Sequence, residues 1–277
     1  MSISAYERNI RRKKGKKFKR TIKWIKSLLV FILFGVTVVL MAYSPLFNIK
    51  VIEVRGNAHY EASEIIDMLD ISTGSNAFKC MGKDITNIFT FRYNSIEEKI
   101  EKNCSYIKEA KVQYYPPSKV LVDIKERNPV GIVPYLGTSI IIDEEGYIVD
   151  TVKTEEEHSL PVIKGIVFDN YELGQRIKVQ KNPESVRNAI EVIETINSSD
   201  EATGFKLYSI IESIDVSNQE KICLFMDSRL VVNLGDLEDL RYRINVLKHI
   251  YLNNIKEDDK GLIDFTVGEN PVFIPEK

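Results

Sequence analysis

The sequence predicts an α+β protein with a single N-terminal transmembrane helix, followed by a β-α-α-β-β domain and then a mixed β domain with two helices. Three observations carry that prediction. A charge-free apolar run lies near the N-terminus; β-rich segments enclose two short amphipathic helical segments within residues 47–127; and from Val130 onward short β runs are interrupted by two longer helical stripes. With 277 residues, 44% hydrophobic and 28% charged, the chain has the composition of a globular protein and enough apolar material for a real core. The expected division is a basic cytoplasmic tail at 1–26, a transmembrane helix at 27–46, outer domains at 47–127 and 128–267, and a C-terminal tail at 268–277.

From Leu28 to Tyr43 the sequence carries no charge, and Trp24, Ile25, Leu46 and Phe47 extend the apolar stretch at its ends. A helix needs about 20 such residues to cross the hydrocarbon layer. Lys23 and Lys26 can snorkel at the inner edge, and Trp24 and Tyr43 sit where interfacial aromatics belong. The rival reading is a cleaved signal peptide, since Ala42-Tyr43-Ser44 imitates a small-x-small site. Against it, the run is longer than a usual signal core and Pro45 would follow the cut. Residues 1–26 hold 11 Lys and Arg against one Glu, leaving 27 against 39 acidic residues for the rest. That bias, including Arg11, Arg12, Lys13 and Lys14, places the N-terminus inside the cell and everything after Phe47 outside. The tail then either attracts anionic lipid or docks a cytoplasmic partner. An acidic body offers no footprint for nucleic acid.

After the span, Phe47 to Val54 reads as a strand ending in the Gly56-Asn57 turn. Ala62, Ile65, Ile66 and Leu69 recur at helical spacing. Ser95-Ile96-Glu97-Glu98 announces a second helix through a capping box, with Ile96 and Ile100 facing the core. Ile107 to Tyr115 and Lys119 to Arg127 form a hairpin across Pro116-Pro117, with Val120, Val122 and Ile124 alternating with Leu121, Asp123 and Lys125.

Beyond Pro129, Val130 to Tyr135 and the arms Ile140 to Ile142 and Tyr147 to Val149 are strands, the arms meeting at an acidic glycine turn. Asp143, Glu144 and Glu145 lack calcium-loop spacing, so a solvated turn is expected. Leu160 to Gly165 continues the β pattern; Asn182-Pro183 opens a helix whose stripe is Val186, Ala189, Ile190, Ile193 and Ile196. Three β runs follow, at 207–216, 221–226 and 229–234. A helix capped by Asp236 buries Leu237, Leu240, Ile244, Leu247 and Ile250; Gly261 to Val267 is the last strand, and Val272-Phe273-Ile274-Pro275 is an apolar tail.

Chemistry has little to stand on here. Cys80, Cys104 and Cys223 stand far apart, and spacing leaves room for one Cys80–Cys104 bridge. His59, His158 and His249 form no recognisable triad or metal arrangement, so no cofactor and no metal are expected. A membrane-anchored cell-wall enzyme working with two carboxylates is the competing reading; it has no positive support among the 40 acidic residues.

Three pieces of the first outer segment resemble the polypeptide-transport-associated (POTRA) domain of the FtsQ/DivIB division proteins: Phe47-x-Ile49-x-x-Ile52-x-Val54-x-Gly56-Asn57, Ile107-Lys108-Glu109-Ala110-Lys111-Val112, and Pro117 leading to Ile124-x-Glu126-Arg127-x-Pro129-Val130. Ile142-Asp143-x-x-Gly146, Leu160-Pro161-x-Ile163-x-Gly165 and Leu234-Gly235 with Leu262-Ile263-Asp264 resemble that family's β domain. The stretch Phe78 to Tyr93 departs from it by its length. The resemblance implies a non-enzymatic scaffold of the divisome, in the cell membrane at the division septum, that gathers the bitopic proteins FtsB (DivIC) and FtsL and through them positions the septal peptidoglycan synthase. It implies a partner strand paired with the last strand of the β domain. On that reading Ile263, Phe265 and Val267 make contact, with Asp264, Thr266 and Phe273 secondary, and Val267 stands where the family carries an aromatic residue. A third reading, a transporter-linked module, would need a β-barrel, and no long series of amphipathic strands follows.

Overall fold

A computed structural model of the chain describes residues 5–82, 85–153, 159–268 and 270–276, with side chains from residue 22 onward. His158 lies outside the described residues, as do the side chains of Arg11, Arg12, Lys13 and Lys14.

One helix, α1 (Ala5–Ala42), takes in both the basic tail and the apolar run. Its apolar part, Ile22–Ala42, has 21 residues, which at 1.5 Å each matches the thickness of about 30 Å that a hydrocarbon core presents. The helix stops at Ala42 rather than running on through Leu46 and Phe47, because Pro45 supplies no amide; Pro45–Phe47 forms a short 3-10 turn instead.

The chain forms two compact units, one of Met1–Arg55, Ile66–Ile96 and Lys111–Asp123, the other of Gly56–Ile65, Glu97–Ala110 and Ile124–Lys277. A three-stranded sheet has the order β1-β3-β2, from β1 (Val51–Arg55), β2 (Ile107–Tyr115) and β3 (Lys119–Glu126). β1 runs parallel to β3, with Val51 opposite Lys119 and Arg55 opposite Asp123. Parallel strands need a long crossover, and the helical segment between β1 and β2 supplies it. It holds the two expected helices, α2 (Ala62–Met68) and α5 (Asn94–Asn103), and two unexpected short ones, α3 (Ala77–Cys80) and α4 (Ile85–Thr90). The alternation expected in β3, the central strand, buries Val120, Val122 and Ile124; Leu121 is buried as well.

The larger unit is built on a mixed sheet of nine strands among the described residues, in the order β12-β11-β10-β9-β8-β7-β4-β5-β6. The strands are β4 (Pro129–Tyr135), β5 (Thr138–Asp143), β6 (Ile148–Val152), β7 (Val162–Lys164), β8 (Ile211–Asp215), β9 (Ile222–Met226), β10 (Leu230–Gly235), β11 (Gly261–Asp264) and β12 (Val272–Pro275). Two helices, α6 (Ser185–Thr203) and α7 (Leu240–Asn253), cover one face: Ala189, Val192, Ile193, Ile196, Leu240, Ile244 and Leu247 share a core with Ile140, Ile142, Ile163, Leu224, Val232 and Ile263. α6 starts at Ser185, with Asn182 in a left-handed conformation ahead of it, and it buries Val192 more deeply than the expected Val186 and Ile190. α7 starts at Leu240, so Asp236 is not its cap. The run Ile140-Ile141-Ile142 is apolar without interruption because both faces of β5 are covered. Ile140 and Ile142 join the helix-side core, while Ile141 packs on the other face with Ile132, Val149 and Tyr106, against which Tyr60 and Leu160 pack.

The acidic turn after β5 is not simply solvated. Asp143 is buried, accepts the amides of Glu145 and Tyr147, and pairs with Arg127 at 2.7 Å. A buried carboxylate persists only when paired in this way. Glu145 meets Lys108 at 2.7 Å, and that hydrogen bond holds its carboxyl below the usual range. The three cysteines are free thiols, so the Cys80–Cys104 bridge is not formed.

Candidate functional site

The margin of the large sheet differs from the sequence expectation. The strand expected to reach Val267 ends at Asp264, where the carboxylate Oδ1 accepts the Thr266 amide at 2.8 Å and the Thr266 hydroxyl at 2.6 Å, turning the chain out of the ladder. Asn233 donates to the same oxygen at 3.2 Å. Burial acts to raise the Asp264 carboxyl, but the Thr266 hydroxyl and amide and the Asn233 amide outweigh it, leaving it below its ordinary value.

β11 is not the edge. It runs parallel to β10 on one side and antiparallel to β12 on the other, with Leu262 opposite Ile274 and Ile263 opposite Phe273. The supposed apolar tail is therefore the outermost strand. A glycine permits the approach: a Cβ at position 261 would collide with the Ile274 carbonyl oxygen.

The ladder settles which backbone groups β12 offers. Glu276 N–H donates to Lys260 O at 2.8 Å, and antiparallel alternation then turns the amides of Ile274 and Val272 toward β11 and that of Phe273 outward. The flanking outward positions are Pro271 and Pro275, which have no N–H. β12 thus presents one outward donor, at Phe273, between two prolines, together with outward carbonyls. Such an edge resists indiscriminate sheet extension and leaves one donor, at Phe273, with its neighbouring carbonyls unused by β11.

Side chains divide by face. Ile263 is buried in the core, and Phe265 and Phe273 pack partly against it. On the face away from the helices, directly opposed residues make a row across four strands: Phe225, Val231, Leu262 and Ile274. Ile274 is 47% exposed, and Val272, further along β12, 41%. Phe225, Val231, Leu262 and Ile274 line a shallow depression of about 420 Å³ that continues to Pro275 and Glu276. Of the residues singled out from sequence, Ile263 and Asp264 are inward, Thr266 and Val267 lie exposed in the turn past β11, and only Phe273 sits on the margin. Val272, Ile274, Phe225, Val231 and Leu262, not singled out from sequence, lie on the outermost strand or in the row beside it. Alternation of exposed and half-buried apolar residues in Val272-Phe273-Ile274 is the signal that could have found the first two.

Residues 22–41 are exposed along the helix, with Lys23, Trp24 and Lys26 near one end of the apolar part and Tyr43 just past the other. The helix fits a membrane anchor by length and composition. His59 stacks on Tyr106 at 3.6 Å between ring centroids, its amide bonded to Glu126, and His249 is exposed on α7.

Comparison with known proteins agrees with the architecture. Residues 47–127 match the FtsQ-type POTRA domain, and residues 134–265 match the C-terminal domain of cell division protein FtsQ/DivIB. The chain is 27% identical over 266 residues to the cell division protein DivIB of Clostridium botulinum strain Hall, covering 95% of each chain. It is 26% identical over 245 residues to DivIB of Clostridium tetani, covering 87% of this chain and 84% of that one. The solved extracytoplasmic domain of DivIB from Geobacillus stearothermophilus aligns at 15% identity and a TM-score of 0.26, over 48% of this chain and 99% of that domain. With the FtsQ-type POTRA domain and the FtsQ/DivIB C-terminal domain present in order behind an apolar helix, the chain belongs to the FtsQ/DivIB family of bacterial cell division proteins.

Proposed function

We propose that this protein is a non-enzymatic, bitopic scaffold of the division septum, its N-terminus cytoplasmic and its two outer domains extracytoplasmic. It binds FtsB/DivIC-like and FtsL-like bitopic proteins and through them positions or regulates septal peptidoglycan synthesis. One observation carries the reading: β12 is an outermost strand with a single outward amide, beside an apolar row on a face that no helix covers among the described residues. A partner strand paired at Phe273 would gain main-chain hydrogen bonds and lay alternate apolar side chains on Ile274 and Leu262. Basic residues concentrated before the span support the orientation.

The test is co-purification of the full chain from membranes with the two bitopic proteins, alongside a chain ending at Pro271. Capture by the full chain and loss by the shortened one is the expected result; equal capture by both would remove β12 from the interface. Measurable peptidoglycan release by the purified full chain would overturn the scaffold assignment.

A further inference from the structure

We propose that α4 is a second membrane contact, a short helix whose apolar face rests in the lipid interface beside the transmembrane helix. The inference rests on the anchor reading of α1 and is independent of what β12 binds.

α4 is amphipathic the wrong way round for a soluble domain. Ile85, Ile88 and Phe89 stand at i, i+3 and i+4, so they share one helix face, and they are 68%, 38% and 80% exposed. The residue it buries is polar: Asn87, whose Nδ2 donates to Met81 O at 3.2 Å. A hydrophobic face this concentrated, turned outward while an amide is turned inward, marks a surface that is covered in the assembled state.

What covers it follows from where it is tied. Asn76, the N-cap of α3, donates to Ala42 O and Ser44 O, each at 3.1 Å, fastening α3 to the end of α1. Phe78 packs edge-on against Phe47, 5.4 Å between centroids, and against Phe91, 6.1 Å away and one residue past the end of α4. α3 before α4 and Phe91 after it are thus tied to the outer end of the anchor, and α4 itself is only about 9 Å long. Tyr43 and Leu46, next to Ala42 and Ser44 in the chain, are exposed. The apolar run of α1 is followed in sequence by exposed Tyr43 and Leu46, and the α3 segment and Phe91 are tied to that end of the anchor, where lipid is the apolar medium already present. Interfacial helices sink about 5–10 Å into the headgroup boundary, a depth that would bring side chains such as Ile85, Ile88 and Phe89 to the acyl chains. Exposed Lys79 at the end of α3 suits anionic headgroups.

The experiment uses the full chain in phosphatidylcholine–phosphatidylglycerol vesicles whose acyl chains carry bromine, a short-range quencher of tryptophan. Trp24, the only tryptophan, reports the anchor in the parent chain. In the double variant Trp24→Phe, Phe89→Trp, the new tryptophan is expected to emit at shorter wavelength, to lose about half its emission to bromolipid, and to resist acrylamide. Ile85→Trp in the same background should behave alike. Emission at 89 and 85 that is open to acrylamide and indifferent to bromolipid, with Trp24 quenched in the parent, would overturn the contact alone. Blue-shifted but bromolipid-insensitive emission would overturn it in favour of a protein cover, such as a second copy. Absence of quenching at Trp24 as well would bring down the anchor and this contact together.

Discussion

The two margins of the large sheet are built on opposite plans. At β6 the backbone is occupied: Ile148 donates to Gln175 O at 2.9 Å and accepts from Gly174 at 2.8 Å, while Ser105 Oγ donates to Val149 O at 2.6 Å. The sheet face there is buried too, since Tyr106 and Leu160 pack on Ile141 and Val149 and the Tyr106 hydroxyl donates to Asp150 at 3.2 Å. Arg127 closes the corner, paired with Asp143 and lying 3.7 Å over the Tyr147 ring. At β12 the outer side carries no strand among the described residues, and Ile274 and Val272 remain half exposed. An unpaired edge is a liability that proteins cover or blunt. This one is covered at one end and only blunted, by two prolines, at the other, which is the arrangement expected when one margin carries structure and the other receives a partner.

The comparison can be broken from either side. The largest effect should come from the closed end. Arg127→Ala strands the buried Asp143 carboxylate, and removal of one partner of a buried pair costs about 3–5 kcal/mol. Thermal unfolding should show it as a large drop in Tm, and partner affinity measured below that temperature should be unchanged. Ending the chain at Pro271 should invert the pattern, weakening capture of the FtsB/DivIC-like protein at least about 100-fold, or about 2.7 kcal/mol, in a binding titration. Ile274→Lys places a charge in the apolar row without touching the core, so about a tenfold loss of affinity with unaltered Tm is expected.

The smallest effect concerns the turn that ends β11. The Asp264 carboxyl is held below its ordinary value of 3.8, so its contribution to stability is present above that value and is lost as the pH falls through the lower folded value. Asp264→Asn should cost about 1 kcal/mol near neutrality and flatten the acid limb of stability against pH below about 4. An acid limb identical to that of the parent would show that the Thr266 and Asn233 hydrogen bonds do not favour the ionised form.

Much of the fold was legible because it is written in local periodicity. The alternation of Val120, Val122 and Ile124, the stripe of α7 and the uninterrupted Ile140-Ile141-Ile142 each announce an element and its buried faces before any partner is known. β12 was read as a tail for an equally local reason. Four residues ending in proline and preceded by another look like an end of structure, since proline cannot donate to a ladder. The objection fails at an outermost strand, where those positions face away from β11. α3 and α4 escaped because helices of four and six residues have too few turns to establish a period.

By itself the sequence determined the quantities that depend on neighbours in the chain: the apolar run long enough to span a bilayer, the charge asymmetry around it, the order of the strands and helices other than α3, α4 and β12, and the residues by which the family is recognised. Tertiary structure alone decided which strand lies outermost, which amide faces out, and that Arg127 meets Asp143 rather than solvent. The physical reason is that backbone hydrogen bonding in a sheet joins segments remote in sequence. Whether an edge is open depends on what arrives beside it, and no local pattern records that.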